Sequence, residues 1–250
     1  MIAFLSPAKN MQFGTLPAGM VKKPRFSGET DKILKVLKGY QPWQFEQLLK
    51  LNPELAWDAF TRYQDFEESQ PGIPALLAYK GLAFLHLNPQ DFTREDFEFA
   101  EKHIRIGSAL YGLLSPKEGI HPYRLELRCK LKIEGKSLYR FWGERVYQEI
   151  FSSGLPVINL ASREYSQLIT PFLKLGDPFI TCDFVTPVHG KLKTLPSRAK
   201  MARGEMARFI VKNRLVNPDD LKQFVRDGYQ FAEGLSSSVR FVFIQHGSEE

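Results

Sequence analysis

Apolar residues fall into short blocks along this chain, and their spacing changes from strand-like to helix-like and back. Met1 to Leu5 is an unbroken apolar run, the signature of a short strand buried on both faces. Ser6 followed by Pro7 then predicts a helix start, with serine as the cap and proline at the first helical position. Lys9 would sit one turn inside, where free backbone amides and an ammonium can together hold an anion. Helical spacing dominates to about residue 105. Gln41-Pro42 and Asn52-Pro53 each open a helix, and Thr93 with Asp96 three residues on predicts a capped helix over 94–106. Trp43, Phe45, Trp57, Phe60, Phe66, Phe97 and Phe99 recur at near-helical intervals, which assigns them to core packing.

Past residue 104 the period shortens. Arg124, Arg128, Lys130 and Lys132 alternate with Leu125, Leu127, Cys129 and Leu131, predicting a strand with leucines on one face and cations on the other, a geometry suited to a phosphate backbone. A helix over 138–151, a strand from Val157 to Leu160 and a short helix capped by Ser162 follow. Segments 179–187 and 191–195, joined through His189-Gly190, predict a hairpin that leads to Ser197 as the cap of a long helix over 198–215. Ala199, Ala202, Met206, Phe209, Ile210 and Asn213 form its inner stripe. Gly204, mid-helix, costs ~1 kcal/mol relative to alanine, so close approach of another backbone or a ligand is expected there. Asn217-Pro218 opens a further helical turn, and strands near 229–232 and 239–245 close the chain. The pattern as a whole is α+β (mixed). It describes a single globular domain over 1–246, with a helical N-terminal half, a mixed sheet with hairpins in the C-terminal half, and a frayed tail at 247–250.

Charge divides the chain. The formal net charge of +6 arises from 34 Lys and Arg against 28 Asp and Glu. Residues 187–214 hold eight basic side chains against Glu205 alone, so the remainder is nearly neutral, while 53–101 carry ten acidic groups against Arg62, Lys80 and Arg94. Such a basic block is the footprint of a phosphate-rich partner, because each cation set against a phosphate releases a condensed counterion. No apolar run reaches the ~18 residues a membrane-spanning helix requires, and the apolar start is too short for a secretory signal core, so a soluble cytoplasmic protein is expected. Two cysteines, Cys129 and Cys182, are too few for a disulfide framework. The five histidines lie apart, with no zinc-ligand spacing, and neither metal nor cofactor is expected.

Ser6-Pro7-Ala8-Lys9 matches the Ser-x-x-Lys pattern of penicillin-binding enzymes, but the Ser-Asp-Asn and Lys-Thr-Gly partners are absent. Walker, dinucleotide-glycine, nucleophile-elbow and His-Glu-x-x-His motifs are absent too, which counts against catalysis. A different set of strings is present in order: LSPAKN from Leu5, YKG at Tyr79, LYGLLSP at Leu110, PYRLEL at Pro122, LYRFWG at Leu138, INLAS at Ile158, AKMARG at Ala199 and RFIVKNRL at Arg208. By these the chain resembles the YaaA-like peroxide stress proteins of bacteria over nearly its whole length. The resemblance implies a cytosolic mixed α and β protein of unusual topology, linked to survival of hydrogen peroxide, with DNA bound in a positively charged cleft and a helix-hairpin-helix element. Met201 stands where a second lysine is expected in the basic helix, and Ala109 where a glycine would suit a hairpin at 107–112. Neither that segment nor the Val216-Asn217 turn matches the helix-hairpin-helix pattern cleanly.

Charge map and resemblance lead to one expectation: a non-enzymatic protein that holds double-stranded or branched DNA through its phosphates, with no membrane and no obligate protein partner. The expected phosphate partners are Lys9, Lys80, Arg124, Arg140, Lys191, Lys193, Lys200, Arg203 and Arg208. The alternative is an enzyme acting on a phosphorylated or nucleotide-like small molecule, in which Ser6, Lys9, Lys80, Arg124 and Arg203 converge on one pocket and Glu126 or Glu164 serves as general base. Cys129, flanked by Arg128 and Lys130, is the better placed of the two thiols for peroxide sensing.

Overall fold

In a computed structural model, residues 1–12, 21–67 and 72–246 are described; the expected frayed tail lies outside them. The main sheet takes strands from the whole chain: β1 (Ile2–Leu5), β2 (Ile104–Ser108), β3 (Gly112–Leu114), β4 (Val157–Asn159), β5 (Phe179–Val188), β6 (Lys191–Lys193), β7 (Tyr229–Phe231) and β8 (Arg240–Gln245). Their order is β7-β8-β5-β4-β1-β2-β3, with β6 folded back on the end of β5. The five strands β8, β5, β4, β1 and β2 run parallel, and β3, β6 and β7 are antiparallel additions. All four residues of β1 are buried, as a central parallel strand with both faces covered requires.

Helices flank the sheet: α1 (Ser27–Lys38), α2 (Pro42–Leu49), α3 (Pro53–Gln64), α4 (Leu82–Leu87), α5 (Arg94–His103), α6 (Leu138–Trp142), α7 (Arg145–Phe151), α8 (Arg163–Ser166) and α9 (Pro196–Lys212). One hydrophobic cluster joins the sheet to these helices. No helix among the described residues is long and apolar enough to cross a membrane.

Several expectations are met by local chemistry. Asn52 caps α3 through Leu55 N, and Thr93 and Asp96 form a reciprocal capping box on α5. His189 and Gly190, both at positive φ (+50° and +71°), make the tight turn between β5 and β6. At Gly204 a Cβ would lie 2.1 Å from the carbonyl oxygen of Ala83, so α4 and α9 pack backbone to backbone there.

Other expectations are corrected. Ser6-Pro7 starts no helix, because Ser6 Oγ is engaged by Ser162 and the chain continues into a two-residue strand, Asn10–Met11, paired with Tyr79–Lys80. The helix expected over 94–106 stops at His103, where the chain enters β2. Of segment 124–132 only Lys132 joins a strand, the two-residue Lys132–Ile133 paired with Lys136–Ser137. The rest alternates in burial, but Arg124 O accepts from Tyr63 OH, and Cys129 N turns back to Glu126 O, so no ladder forms over 124–131. Expected helix 138–151 divides at Gly143, whose φ of +50° breaks the turn. The basic helix begins at Pro196, one residue before its expected cap, and ends at Lys212.

Trp43 and Trp57 are exposed rather than core, being 60% and 59% accessible. The buried stripes of α2 and α3 run through Phe45 and Leu49 and through Ala56, Ala59 and Tyr63, which turns both tryptophans outward. Segment 107–112 is the β2–β3 hairpin, and Asn217 caps a 3-10 turn, so neither candidate joins two α-helices. Two consecutive α-helices on a tight turn do occur at α2–α3, where Lys50 adopts φ +53°.

Candidate functional site

The chain leaves β1 toward β2 on one side and leaves β4 toward β5 on the other. Adjacent parallel strands whose connections part in this way open a crevice at their carboxyl ends, where ligands of open α/β sheets bind. Ser6 follows β1, and Ser162 follows β4. Ser162 N donates to Ser6 Oγ at 2.8 Å and the two hydroxyls lie 3.1 Å apart, which ties the strand ends together at the crevice floor.

Besides the Leu160 to Tyr165 segment, which carries Ser162 and Glu164, four separate segments build the walls of a cavity of about 310 Å³ above that floor. The first is the loop Ser6 to Asn10. The second is Lys80, brought opposite Asn10 by their antiparallel pairing; Gly81 follows, where a Cβ would come within 2.9 Å of Ala8 Cβ, so only glycine lets these segments close. The third is the irregular run from Tyr123 to Glu126, and the fourth is α9 with Lys200 and Arg203. Lys9, Lys80 and Lys200 are exposed, whereas Arg124 and Arg203 reach inward.

Lys9 Nζ lies 2.9 Å from Glu126 Oε1, and Arg124 Nη2 is 3.4 Å from the same oxygen, so this carboxylate already sits among the cations as an anion would. Burial pulls the Arg203 guanidinium below its usual pKa, opposed by Asp183, and an arginine this basic remains charged at neutral pH. Arg124 Nε, Arg203 Nε and Glu164 Oε1 are the buried side-chain polar atoms without a hydrogen-bond partner among the described residues, and all three residues line this one cavity. A buried polar group left unpaired costs ~1–3 kcal/mol, and more when charged, so three in one place mark a site poised for a ligand.

Tyr123 closes the inner wall. It joins Tyr79 and Ser108 in a buried hydroxyl chain, at 3.0 and 2.7 Å, and burial raises its pKa to about 12, so it stays a neutral donor. A smaller groove of about 210 Å³ continues from Lys9 and Arg124 along α3 past Leu55, Asp58 and Arg62.

Five of the nine cations expected from sequence thus meet at the cavity: Lys9, Lys80, Arg124, Lys200 and Arg203. Lys191 and Lys193 stand exposed on β6, and Arg140 is exposed on α6; none of these three lines the cavity. Arg208 does not line the cavity either and is engaged elsewhere. Its guanidinium makes two bonds to Asp91, at 2.8 and 2.6 Å, and further bonds to the carbonyls of Leu87 and Asn88. Lys212 and Arg214 both pair with Asp96 at 2.7 Å. The C-terminal half of the basic helix is therefore neutralised by the acidic segment of the chain, leaving its N-terminal half to face the cavity.

Asn10, Tyr123 and Tyr165 are lining residues that sequence reasoning missed; Asn10 and Tyr123 each had a signal, their places inside LSPAKN and PYRLEL. Both cysteines are free thiols whose pKa burial pushes upward, so neither has the low-pKa thiolate that peroxide sensing needs. His86, Glu205 and Asp227 bring one potential metal-ligand atom each within 4.8 Å of one another, and His86 Nδ1 is already 2.9 Å from Glu205. None of the three lines the cavity.

A mostly parallel sheet whose switch-point crevice is lined by cations defines a mixed α and β protein with a cation-lined cavity at the carboxyl edge of its strands. The chain belongs to the YaaA peroxide stress protein family, whose model, described as peroxide stress protein YaaA, matches residues 1–235. It is 38% identical over 246 residues to a UPF0246 protein of Clostridioides difficile (strain 630), covering 98% of this chain and 100% of that protein. A UPF0246 protein of Agathobacter rectalis is 39% identical over 240 residues, covering 96% of each chain. One from Bacteroides thetaiotaomicron is 37% identical over 252 residues, covering 98% of each.

Proposed function

We propose that this protein serves the peroxide stress response in the cytoplasm by binding DNA, duplex or branched, through backbone phosphates rather than base sequence. The observation that carries this reading is the convergence of five cations from four segments on one cavity, with two guanidinium Nε atoms lacking any protein partner. Phosphate oxygens are acceptors only, and they match such donors. The groove along α3 extends the path from Lys9 and Arg124, and exposed Lys191 and Lys193 precede the cationic start of α9. Charge release then supplies the affinity, independent of sequence.

The test is fluorescence anisotropy with labelled duplex and four-way-junction DNA across a salt series. If the five cations each neutralise a phosphate, log K falls against log salt with a slope of about −4 to −5. Lys9→Gln with Lys80→Gln, both at exposed positions, lowers that slope by about 2, and Lys200→Glu with Arg203→Glu abolishes binding at moderate salt. Absence of binding by the native protein at low salt refutes the reading.

One observation favours a second reading, an enzyme acting on a phosphorylated or nucleotide-like small molecule. The cavity is of small-ligand size and holds Ser6, Glu126 and Glu164 beside the cations, with Glu164 Oε1 buried and unpaired where a general base would stand. Stabilisation by free nucleotides without any affinity for DNA would decide for it.

A further inference from the structure

The three unpaired atoms of the cavity ask for different partners. Arg124 Nε and Arg203 Nε are donors, whereas Glu164 Oε1 is an acceptor. A phosphodiester offers acceptor oxygens alone, so it satisfies the arginines but leaves Glu164 unpaired beside a second negative charge. The ligand that fits brings an anion for the lysines at the mouth and, deeper, a donor beside acceptors. The hydrogen-bonding edge of a nucleobase has that combination: each base presents an N–H next to a carbonyl oxygen or ring nitrogen. In paired DNA those groups are occupied by the opposite base, and only an unpaired nucleotide exposes them.

Size and wall chemistry agree. A cavity of about 310 Å³ lies at the small end of ligand pockets and cannot admit a stacked duplex, but it suits a single unstacked nucleotide. Leu5, Leu82, Phe84, Leu125, Leu160 and Tyr165 give it apolar and aromatic walls, which a bare phosphate clamp does not need and a base does.

We propose that the cavity receives one unpaired nucleotide of DNA, its phosphate held by Lys9, Lys80 and Lys200 and its base edge bonded to Glu164, Arg124 and Arg203. This deepens the DNA-binding reading and rests on it. DNA that carries a bulge, an open end or a branch point is then preferred over uniform duplex, with the exposed lysines holding the flanking phosphates.

The experiment is competition for a labelled duplex by three unlabelled DNAs: one fully paired, one with a single bulged nucleotide, and one with the same bulge but an abasic sugar in place of the nucleotide. The bulged DNA competes about tenfold better than the paired one, the discrimination that one good base contact supplies, and the abasic bulge loses that gain. Glu164→Ala brings the bulged-to-paired ratio close to unity, with thermal melting as the check on folding; the abasic comparison needs no variant and stands if that one fails to fold. Equal competition by paired and bulged DNA overturns the nucleotide pocket while leaving phosphate binding intact. Equal gain from the abasic bulge also overturns it, since backbone flexibility would then be the cause. No DNA binding at low salt removes the reading on which the inference rests. Binding of free deoxynucleoside monophosphates without DNA binding overturns DNA as the source of the nucleotide.

Discussion

Gly204→Ala is the substitution that best connects packing to the site. In most exposed helix interiors this change stabilises by ~1 kcal/mol, because alanine restricts the unfolded chain and favours the helix. At Gly204 the new Cβ would stand 2.1 Å from Ala83 O and 2.9 Å from its carbonyl carbon, where ordinary contact begins at 3.4 Å. The obstacle is backbone, so no rotamer change relieves it; α4 and α9 must part by about 1 Å in a packed interior, and such overpacking costs ~1–3 kcal/mol or more. A backbone obstacle this far inside ordinary contact takes the upper half of that range, ~2–3 kcal/mol, and the ~1 kcal/mol helix gain leaves a net loss of ~1–2 kcal/mol. The displacement also reaches the cavity, because Leu82, Ala83 and Phe84 of α4 and Lys200 and Arg203 of α9 form facing parts of its wall. Urea unfolding of the two proteins, with a DNA or nucleotide titration at fixed low salt, measures both effects. A variant as stable as the native protein, or more so, refutes the close-packing argument. A destabilised variant with unchanged affinity refutes the coupling of that contact to the site.

Asp96 predicts a pH dependence. Its carboxyl is pulled to about pKa 2: burial pushes it upward, but Lys212, the Thr93 amide and Arg214 outweigh burial. A depressed pKa contributes stability that is complete above the unfolded value of 3.8 and is lost as pH falls from there through about 2. Urea titrations at pH 5 and pH 2.5 therefore differ by up to ~2 kcal/mol more in the native protein than in Asp96→Asn; identical slopes would defeat the assignment. Arg208→Ala loses ~1–2 kcal/mol of stability, since its bonds to Asp91 and two carbonyls are partly exposed, yet changes DNA affinity less than about twofold. A large drop in affinity with little loss of stability would return Arg208 to the binding surface.

Much of this protein was legible one segment at a time. Asn52-Pro53, the Thr93 and Asp96 pair, His189-Gly190 and Asn217 each act through bonds or backbone angles within a few residues, and a local pattern is enough to read such signals. The failures share a cause as well. Alternation over 124–132 was real, but alternating burial follows from any extended chain on a core, and only a neighbouring strand turns it into a ladder. Near-helical spacing of aromatics alone assigns Trp43 and Trp57 to the core, whereas the phase of the helix that carries each one turns it outward. The basic block at 187–214 was visible as composition, yet half of its helix is neutralised by Asp91 and Asp96 from the acidic segment, since long-range packing pairs what the chain keeps over a hundred residues apart.

Lys9, Lys80, Arg124, Lys200 and Arg203 are legible in the sequence as cations inside unusual strings, and the small-molecule alternative groups four of them with Ser6. That they meet at one cavity was decided by tertiary contacts, among them the pairing of Asn10 with Lys80 and the close packing of α9 on α4 at Gly204. Sequence determined which residues are charged and where helices and strands begin, because those properties belong to single residues and short windows. Tertiary structure decided which charges are left unpaired, because desolvation and partnership depend on neighbours that only the folded chain supplies.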